Sequence, residues 1–546
     1  MSTIETPVLI VGGGPSGLAA SITLSRLGVD SVLAEKHPST LYHPKAIGVM
    51  QRTAELLRLW SAEDEMRAKG VPRELCDQMV WATTLAGEEL GRTSTVEPDN
   101  ERDEPQSPTT GLRCPQHITE AILRDRAGAY DTARLGYGLE VTSFEQDEGG
   151  VTAQVVERES GEESTVHAQY LLAADGNGSG TRAACGIGRS GDADMGHFLN
   201  IFHRVDLSSL VRDRPAWSYS IMTPDLFGAF VAIDGDQTWI FHLNLARGET
   251  PEDYSDERCA AIIRKASGLP DAEVEIISVK SWIMGAEMSG RFRDRRVLLI
   301  GDAAHRTTPD GGVGMNTGVQ SAHNAAWKVG AVASGWAGED LLDTYEVERR
   351  AVAQTNVDYS AGRGGALLKV VEAIRADDLD AVRAGIAARP SGGRQGQDLG
   401  YTYDSAAVVA DGTNPPPVED RMREYVQNAR PGGRAPHLWV SRNGDRLSTL
   451  DLFGSGLLLL TARDGAAWGA AAAELPASVP IRVMSVGEAG DLRAPDGRLE
   501  KAYGVESDGA VLVRPDGFVG WRAQRAGSDP GRELRGAVAA VTARAA

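Results

Sequence analysis

Residues 8–17 read VLIVGGGPSG, an apolar run followed by a glycine-rich turn. The run over residues 8–11 is typical of a buried parallel strand. A helix pattern over residues 18–27 follows the turn and ends at Gly28, a residue common at helix C-termini. Pro15 suits the first turn of such a helix. The stretch therefore predicts the strand–turn–helix unit of a Rossmann-like, dinucleotide-binding α/β domain.

The spaced glycines of the turn match what a dinucleotide requires. Gly12 permits the tight turn, Gly14 lets the backbone approach a pyrophosphate, and Gly17 lets the helix pack closely on the strand. The helix N-terminus offers free N–H groups and positive potential to the phosphates. The residues predicted to contact the dinucleotide here are Gly12, Gly14, Pro15, Ser16 and Gly17.

An acidic residue, Glu35, stands at the end of the second predicted strand, residues 31–34. A carboxylate at this place can accept hydrogen bonds from an adenosine ribose. Glu35 and the adjacent Lys36 complete the first predicted set of cofactor residues. Both FAD and NAD would satisfy this set, so the choice between them depends on other motifs.

A second motif, Gly301-Asp302-Ala303-Ala304-His305, follows the apolar run 297–300. Asp302 at a strand end can accept hydrogen bonds from ribityl hydroxyls. The glycine-rich segment 309–316 then opens a helix whose N-terminal N–H groups favour negative charge, which accumulates near N1 and the C2 carbonyl oxygen of a reduced flavin. The motif favours FAD, held by Asp302, Pro309, Gly312, Gly314 and the backbone N–H groups of Met315 and Asn316.

The composition and charge of the chain exclude several classes of protein. The chain has 546 residues and a formal net charge of −20, which opposes nonspecific binding to nucleic acid or to an anionic membrane. Its four cysteines are widely spaced without a CxxC pair, so a zinc site or disulfide framework is not expected. The start of the chain has no basic region typical of a signal peptide. These features predict a cytoplasmic protein of several domains, without a metal.

The middle of the chain, residues 191–285, alternates apolar and polar side chains. Period-two runs separated by turns predict an antiparallel sheet. Aromatic and methionine side chains on one face of such a sheet can form a slot for a flat hydrophobic molecule. Ordinary core packing is the competing interpretation for each of them. The substrate-site candidates are Phe227, Trp239, Phe241, Trp282 and Met284.

Together these motifs resemble those of the class A flavoprotein aromatic hydroxylases. Residues 12–17 resemble the family's FAD fingerprint, and residues 301–305 with 311–320 match its Gly-Asp segment nearly throughout. Residues 170–179, YLLAADGNGS, resemble the segment whose Asp, here Asp175, serves both FAD and the nicotinamide nucleotide. The resemblance covers the whole chain and implies FAD as cofactor, with NADPH or NADH as transient co-substrate.

Smaller matches and departures come with this resemblance. It implies that Gln116 reaches the ribityl region and that the backbone of Val141 contacts the adenine. Lys45 stands where the family usually has Arg, so a point charge replaces a bidentate grip on phosphate. Asp310 stands where many relatives have a small uncharged residue, and Ser321 replaces a common Asp.

The resemblance also implies a mixed α/β fold with three domains. The FAD-binding domain is expected over 1–75, 105–190 and 286–395, and the substrate-binding sheet over 76–104 and 191–285. A linker is expected over 396–430, and a thioredoxin-like domain without CxxC over 431–546.

The implied activity is a flavin-dependent NAD(P)H monooxygenase. It would use O2 to hydroxylate a phenolic or polycyclic aromatic, polyketide-like substrate through a C4a-hydroperoxyflavin. Baeyer–Villiger oxygenation of a polyketide and hydroxylation of a simple phenol are the alternatives. No side chain is assigned as a certain catalytic group, because the cofactor carries the chemistry. The expected partners are the small aromatic substrate and O2, with a homodimer as a further expectation and no nucleic acid or membrane.

Overall fold

A computed structural model describes residues 2–95, 105–245, 248–389, 393–495 and 497–544. The predicted ranges 1–75, 76–104, 191–285, 286–395 and 431–546 each include residues that lie outside these described ranges.

Strands occur along the whole length of the described chain. They are β1 Ser2–Val11, β2 Ser31–Glu35, β3 Gly48–Val49, β4 Gln78–Ala82, β5 Glu89–Ser94, β6 Leu112–Arg113, β7 Ala133–Tyr137, β8 Leu139–Gln146, β9 Val151–Glu157, β10 Glu163–Ala173, β11 Arg189–Arg204, β12 Ser218–Thr223, β13 Leu226–Ala232, β14 Thr238–Asn244, β15 Glu275–Ser289, β16 Arg293–Asp294, β17 Val297–Leu299, β18 His305–Arg306, β19 Trp439–Arg442, β20 Asp445–Ser448, β21 Leu457–Thr461, β22 Ile481–Ser485, β23 Ala510–Val513 and β24 Val519–Ala523.

Helices cover the parallel sheet and bridge the domains. They are α1 Pro15–Arg26, α2 Gln51–Leu59, α3 Glu63–Lys69, α4 Gln116–Gly128, α5 Gly180–Ala184, α6 Ser208–Val211, α7 Asp256–Ser267, α8 Gly314–Ala333, α9 Asp343–Arg375, α10 Leu379–Ala387, α11 Gln395–Leu399, α12 Ala466–Ala473, α13 Arg498–Tyr503 and α14 Pro530–Val541. Short 3-10 turns are Arg73–Leu75, Pro251–Asp253, Gly301–Ala303, Glu339–Leu342 and Thr449–Leu452.

The first sheet has the order β16-β17-β10-β1-β2-β7, with β9 and β8 added beside β10. β1 is parallel to both β2 and β10, and Val8 lies between Ser31 and Tyr170. The apolar run that begins at Val8 is fully buried at Leu9 and Ile10, as expected for a strand covered on both faces. The predicted Rossmann-like domain is confirmed, and the carboxyl ends of β1, β2, β10 and β17 meet at one edge.

The second sheet has the order β18-β15-β11-β14-β13-β12-β4-β5. Its pairs are antiparallel except that β12 is parallel to β4. The predicted antiparallel sheet is therefore confirmed, with one parallel pair. β18 joins this sheet although residues 305–306 fall in the range expected for the FAD-binding domain.

The C-terminal sheet has the order β22-β21-β23-β24. β21 and β22 are parallel and connected through α12, whereas β23 and β24 are antiparallel and followed by α14. This β-α-β then β-β-α arrangement confirms the thioredoxin-like expectation. All four cysteines, Cys76, Cys114, Cys185 and Cys259, precede this domain, so it has no thiol chemistry.

Residues 396–430, expected as a linker, are packed against their neighbours in the structure. Asp398 Oδ2 accepts a hydrogen bond of 2.9 Å from the backbone N–H of Arg52. Tyr401 donates its hydroxyl to Gln320 Oε1 of α8 at 3.2 Å, and Tyr403 is buried. The proline-rich composition near residue 415 is typical of an extended linker. The contacts could not be predicted from it, because the polar partners lie far away in the sequence.

Two groups of buried ions connect the C-terminal domain to the rest of the molecule. Arg514 contacts Glu348 at 2.6 Å and Asp516 at 2.6 Å, and Lys328 contacts Glu348 at 2.7 Å, all with nearly fully buried side chains. Arg434 pairs with Glu55, which also contacts Arg52 at 2.8 Å. Burial alone would raise the pKa of Glu348, but Arg514 and Lys328 outweigh it and hold that pKa well below its ordinary value.

Within the described ranges, every helix is too short or too polar to span a bilayer. Among the same residues, no cluster of three or more His, Cys, Asp or Glu side chains is arranged to hold a metal ion.

Candidate active site

A cavity of about 2050 Å³ runs from the glycine-rich turn after β1 to the face of the antiparallel sheet. At one end, Gly12, Glu35, Asp175 and Asp302 lie at or just after the carboxyl ends of β1, β2, β10 and β17. A pocket for one drug-sized molecule usually measures about 300–1,000 Å³. The cavity therefore has room for an extended dinucleotide and for a second ligand beside it.

Most of the predicted cofactor residues line this cavity, and two lie behind its wall. Gly17 packs inside the strand–helix unit, and Asn316 is buried in α8. The residues that line the cavity are Gly12, Gly14, Pro15, Ser16, Glu35, Lys36, Lys45, Gln116, Val141, Asp175, Asp302, Pro309, Gly312, Gly314 and Met315.

The glycine-rich turn has the shape that a pyrophosphate site requires. Gly12 has a φ of +108°, and a Cβ there would overlap the carbonyl oxygen of Ala174. A Cβ on Gly17 would overlap the carbonyl oxygen of Gly12. At Gly14, by contrast, an added Cβ would meet no protein atom within 4 Å. The space beside Gly14 is open cavity, directly at the N-terminus of α1, where a helix favours anions.

The Glu35 carboxylate is fixed by two backbone hydrogen bonds. Its Oε2 accepts from Gly13 N at 2.7 Å, and its Oε1 accepts from His37 N at 2.8 Å. Each carboxylate oxygen retains further acceptor capacity. Glu35 therefore lies beside the turn in a fixed orientation suited to ribose hydroxyls, and the exposed Lys36 follows it at the cavity wall.

Asp175 organises the turn that follows β10. Its Oδ1 accepts from Ser179 Oγ at 2.5 Å, and its Oδ2 accepts from Thr181 N at 3.0 Å. These bonds hold the short glycine-rich loop before α5 against the cavity. The Asp175 carboxylate thus shapes the cavity wall. In the sequence, Ser179 is the residue that indicates this role, because it lies four residues after Asp175.

Asp302 faces the cavity, and a group of charged residues lies behind it. Arg189 donates to the Asp302 carbonyl oxygen, and Glu287 links Arg189 at 3.8 Å to Arg306 at 3.0 Å. Asp302 is exposed and lines the cavity. The protein atoms around it raise its pKa, while the cations Arg189, Lys45 and Arg306 act in the opposite direction. Sequence reasoning missed Arg189 and Glu287, which come from β11 and β15.

The N-terminus of α8 points its free N–H groups towards the cavity. The backbone hydrogen bond at its start runs from Thr317 N to Val313 O at 2.8 Å, so the N–H groups of residues 314–316 precede the helical ladder. Gly312 has a φ of +65°, and an added Cβ there would meet no protein atom within 4 Å. Backbone N–H groups in an open cradle fit the charge that develops on a reduced flavin.

The Asn316 side chain holds this loop from behind. Its Oδ1 accepts from Met50 N at 2.8 Å, and its Nδ2 donates to Gly48 O at 3.0 Å and Gly312 O at 2.7 Å. All three bonds are to backbone groups of segments that line the cavity. The amide side chain therefore sets the loop geometry, and only its backbone N–H remains for a cofactor.

We expect Asn316→Ala to lower the fraction of protein that retains FAD after desalting. The substitution removes three partly buried hydrogen bonds, each worth about 0.5–1.5 kcal/mol, and it frees the backbone of Gly48, Met50 and Gly312 from α8. Two quantities are measured: the flavin absorbance per protein after desalting, and the midpoint temperature of thermal unfolding. Asn324→Ala, which breaks amide bonds to Glu348 and Asp516 far from the loop, is the control. Equal FAD retention in both variants would contradict the role given to Asn316.

Gln116, Lys45 and Val141 lie along the cavity wall. Gln116 Oε1 accepts from Ala46 N at 3.2 Å, and its Nε2 donates to Glu120 Oε1 at 2.7 Å. Lys45 is exposed, and Val141 lies in β8. Their predicted roles at the ribityl chain, a phosphate and the adenine stay predictions.

The substrate-site candidates lie on two opposite faces of the antiparallel sheet, because side chains alternate along each strand. Phe227, Trp282 and Met284 line the cavity. Trp239 and Phe241 are fully buried on the opposite face of β14, packed with Phe230. The expectation that these two form the substrate slot is therefore wrong, because the period-two pattern identifies two faces but not which one meets the cavity.

Asp310 is held by arginines that sequence reasoning missed. Its carboxylate contacts Arg363 at 3.2 Å and Arg389 at 2.9 Å, and Arg394 donates to Gly311 O at 2.5 Å. These arginines come from α9 and the segments around α10 and α11. They explain how a charged residue is accommodated in the loop, and no local sequence signal links them to it.

His305 is buried behind the loop instead of facing the cavity. Its Nε2 lies 3.3 Å from Ser321 Oγ, and Ser321 also accepts from Arg349 Nε at 3.2 Å. Burial, with Arg349 and Arg189 adding to it, lowers the pKa of His305 to about 3. The ring therefore stays neutral, and it lies outside the cavity lining.

Comparison with sequence families gives two matches. Residues 5–360 match a family described as FAD binding domain, and residues 428–545 match one described as aromatic-ring hydroxylase, C-terminal.

Comparison with individual proteins agrees with both families. The chain is 38% identical to the tetracenomycin A2 monooxygenase-dioxygenase of Streptomyces glaucescens, covering 100% of this chain and 98% of the relative. It is 35% identical to the aklavinone 12-hydroxylase RdmE of Streptomyces purpurascens, covering 99% of each.

Two solved structures are similar over the full length of both chains. The flavin-dependent monooxygenase PieE, in complex with FAD and substrate, superimposes with a TM-score of 0.92 at 32% identity and 100% coverage of each chain. Aklavinone-11 hydroxylase, in a ternary complex with FAD and aklavinone, superimposes with a TM-score of 0.83 at 34% identity and 100% coverage of each chain.

Proposed function

Because this chain belongs to the FAD-dependent aromatic-ring hydroxylases, we propose that it hydroxylates a flat, polycyclic phenol of the aromatic polyketide type. The cofactor is FAD, with NAD(P)H as the electron donor typical of the family. We propose O2 as the oxygen source. The observation that carries the substrate class is the shape of the cavity where it meets the antiparallel sheet.

Three small side chains of the sheet, Ser218, Ser220 and Ala229, line the cavity there and are called the floor. Ser220 and Ala229 are neighbours across the sheet, and Ser218 lies beside them on β12. Phe227 stands at the edge, and Trp282 stacks on Phe198 with ring centroids 4.6 Å apart. A flat floor between aromatic walls accommodates fused rings, whereas a single phenol would leave much of it empty. This supports a polycyclic substrate over the simple phenol.

When bound, FAD supplies the hydride acceptor and the oxygen-activating centre. The protein would hold it with Glu35 at the ribose, the N-terminus of α1 at the pyrophosphate, and Asp302 at the ribityl chain. The N–H groups at the start of α8 would stabilise negative charge on the reduced ring. The remaining cavity wall would orient the substrate and exclude water.

Reduction by NADPH in the absence of O2 tests the proposal. We expect 3,6-dihydroxyxanthone, a planar tricyclic phenol, to accelerate bleaching of the flavin absorbance by about tenfold or more, equivalent to about 1.4 kcal/mol of barrier. Subsequent admission of O2 should give a product heavier by one oxygen atom, on a ring carbon.

The control is phenol itself at the same concentration. Equal acceleration by phenol and the xanthone would favour the simple-phenol alternative. An oxygen inserted next to the ketone would favour the Baeyer–Villiger alternative, and a flavin that NADPH never reduces would contradict both.

Two further expectations belong with this proposal. We infer a cytoplasmic location, because NAD(P)H is available there and the free cysteines would stay reduced. A homodimer remains a prediction, which light scattering at several protein concentrations would test.

A further inference from the structure

Three side chains on neighbouring strands form a hydrogen-bonded group at the cavity face of the antiparallel sheet. Trp282 Nε1 lies 2.7 Å from Asn200 Oδ1, and His242 Nδ1 lies 2.6 Å from the same oxygen. Asn200 on β11 is directly opposite His242 on β14. All three residues line the cavity.

The Trp282 indole, which can only donate a hydrogen bond, determines which ring nitrogen of His242 carries the proton. A tryptophan Nε1 can only donate a hydrogen bond, so the Asn200 atom that faces it must be the carbonyl oxygen and not the amide nitrogen. His242 Nδ1 contacts that same oxygen, and therefore it must carry a proton. The neutral ring then has an unprotonated Nε2, which is a hydrogen-bond acceptor.

That acceptor is open to the cavity. His242 is partly accessible, and Nε2 has no hydrogen-bond partner among the described residues and is not enclosed by them. Burial, with His43 nearby, lowers the pKa of His242 to about 4, so the ring is neutral near pH 7. The residue directly across the sheet on β13 is Ala229, whose side chain is a single methyl group.

We propose that His242 Nε2 is the acceptor for a phenolic hydroxyl of the substrate, with Asn200 and Trp282 as positioning residues that fix its tautomer. This inference rests on the proposed function, because it assumes a phenol on the floor beside Ala229. An O–H donor is the group that an exposed, neutral imidazole nitrogen recognises. A methyl ether at the same position has no proton to give.

The two possible roles of His242 predict different results. If the ring only supported the sheet, its loss would weaken binding of any flat ring to a similar extent. If Nε2 recognises a hydroxyl, its loss affects phenols alone.

The experiment compares 3,6-dihydroxyxanthone with 3,6-dimethoxyxanthone in the FAD-loaded protein. Dissociation constants come from the perturbation of the flavin spectrum, for the native chain, His242→Leu and His242→Gln. His197→Leu is the matched control, because His197 is an exposed histidine of β11 that lies outside the cavity lining.

The native chain should bind the diol about tenfold more tightly than the diether. In His242→Leu that preference should disappear, with the diether constant changed less than about twofold and FAD content unchanged. His242→Gln, which can donate to Asn200 and present its carbonyl oxygen to the cavity, should keep part of the preference. His197→Leu should keep all of it.

Equal affinity of the native chain for diol and diether would overturn the proposal without any variant. So would an equal loss for both ligands in His242→Leu, which indicates a structural role. A native protein that binds neither xanthone, and whose reduction neither accelerates, would instead show that the proposed function itself is wrong, and this inference with it.

Discussion

Replacing Gly14 with valine is expected to remove FAD from the protein while leaving the fold intact. Gly14 has a φ of −74°, which valine adopts without strain, and an added Cβ meets no protein atom within 4 Å. The new side chain therefore projects into the space predicted for the pyrophosphate. A loss of affinity of about a hundredfold or more, equivalent to about 2.7 kcal/mol, is the expected result.

The measurement is flavin absorbance per protein after desalting, together with a titration of the apoprotein with FAD. Gly536→Val is a matched control, because Gly536 also has open space around it but lies on α14, away from the cavity. Melting of the two apoproteins at similar temperatures would show that the Gly14 effect is on binding. Normal FAD content in Gly14→Val would contradict the placement of the pyrophosphate.

Arg514→Ala is expected to destabilise the whole protein by about 3–5 kcal/mol. The substitution leaves Asp516 without its ion-pair partner and removes one of the two cations that pair with Glu348, all inside the protein. A buried carboxylate without a cation partner lowers the free energy of unfolding strongly, whereas loss of an exposed ion pair changes it little. Chemical denaturation followed by tryptophan fluorescence measures the effect.

Arg525→Ala is the control for loss of an arginine from the same domain. Its ion pair with Glu506 at 2.8 Å is exposed on both sides, so its removal should change the free energy of unfolding by less than about 1 kcal/mol. Similar unfolding midpoints for the two variants would show that the buried group does not stabilise the domain interface.

The elements that sequence reasoning predicted well are those set by local rules. Gly12 and Gly17 mark a turn that admits no side chain, and the fully buried run beginning at Val8 marks a parallel strand. Both signals lie within a few residues, where spacing and backbone sterics determine the structure. The strand–turn–helix unit and the edge that carries the cavity follow from them.

What remained hidden depends on contacts between distant segments. Alternation along β14 could not show that His242 faces the cavity and that Phe241 faces away. Arg363 of α9 and Arg389, which follows α10, reach Asp310 from more than fifty residues later in the sequence, and nothing in their neighbours marks them. Such contacts depend on tertiary packing, which cannot be predicted from any short stretch of the sequence.

The buried ion pairs join residues that are synthesised at very different times. Glu55 and Glu348 leave the ribosome long before Arg434 and Arg514, the cations from the C-terminal domain that neutralise them. A nascent chain that has already formed its parallel sheet would therefore carry two carboxylates with only Arg52 and Lys328 beside them. The N-terminal part is therefore expected to reach its final stability only after the C-terminal domain has been synthesised and has docked.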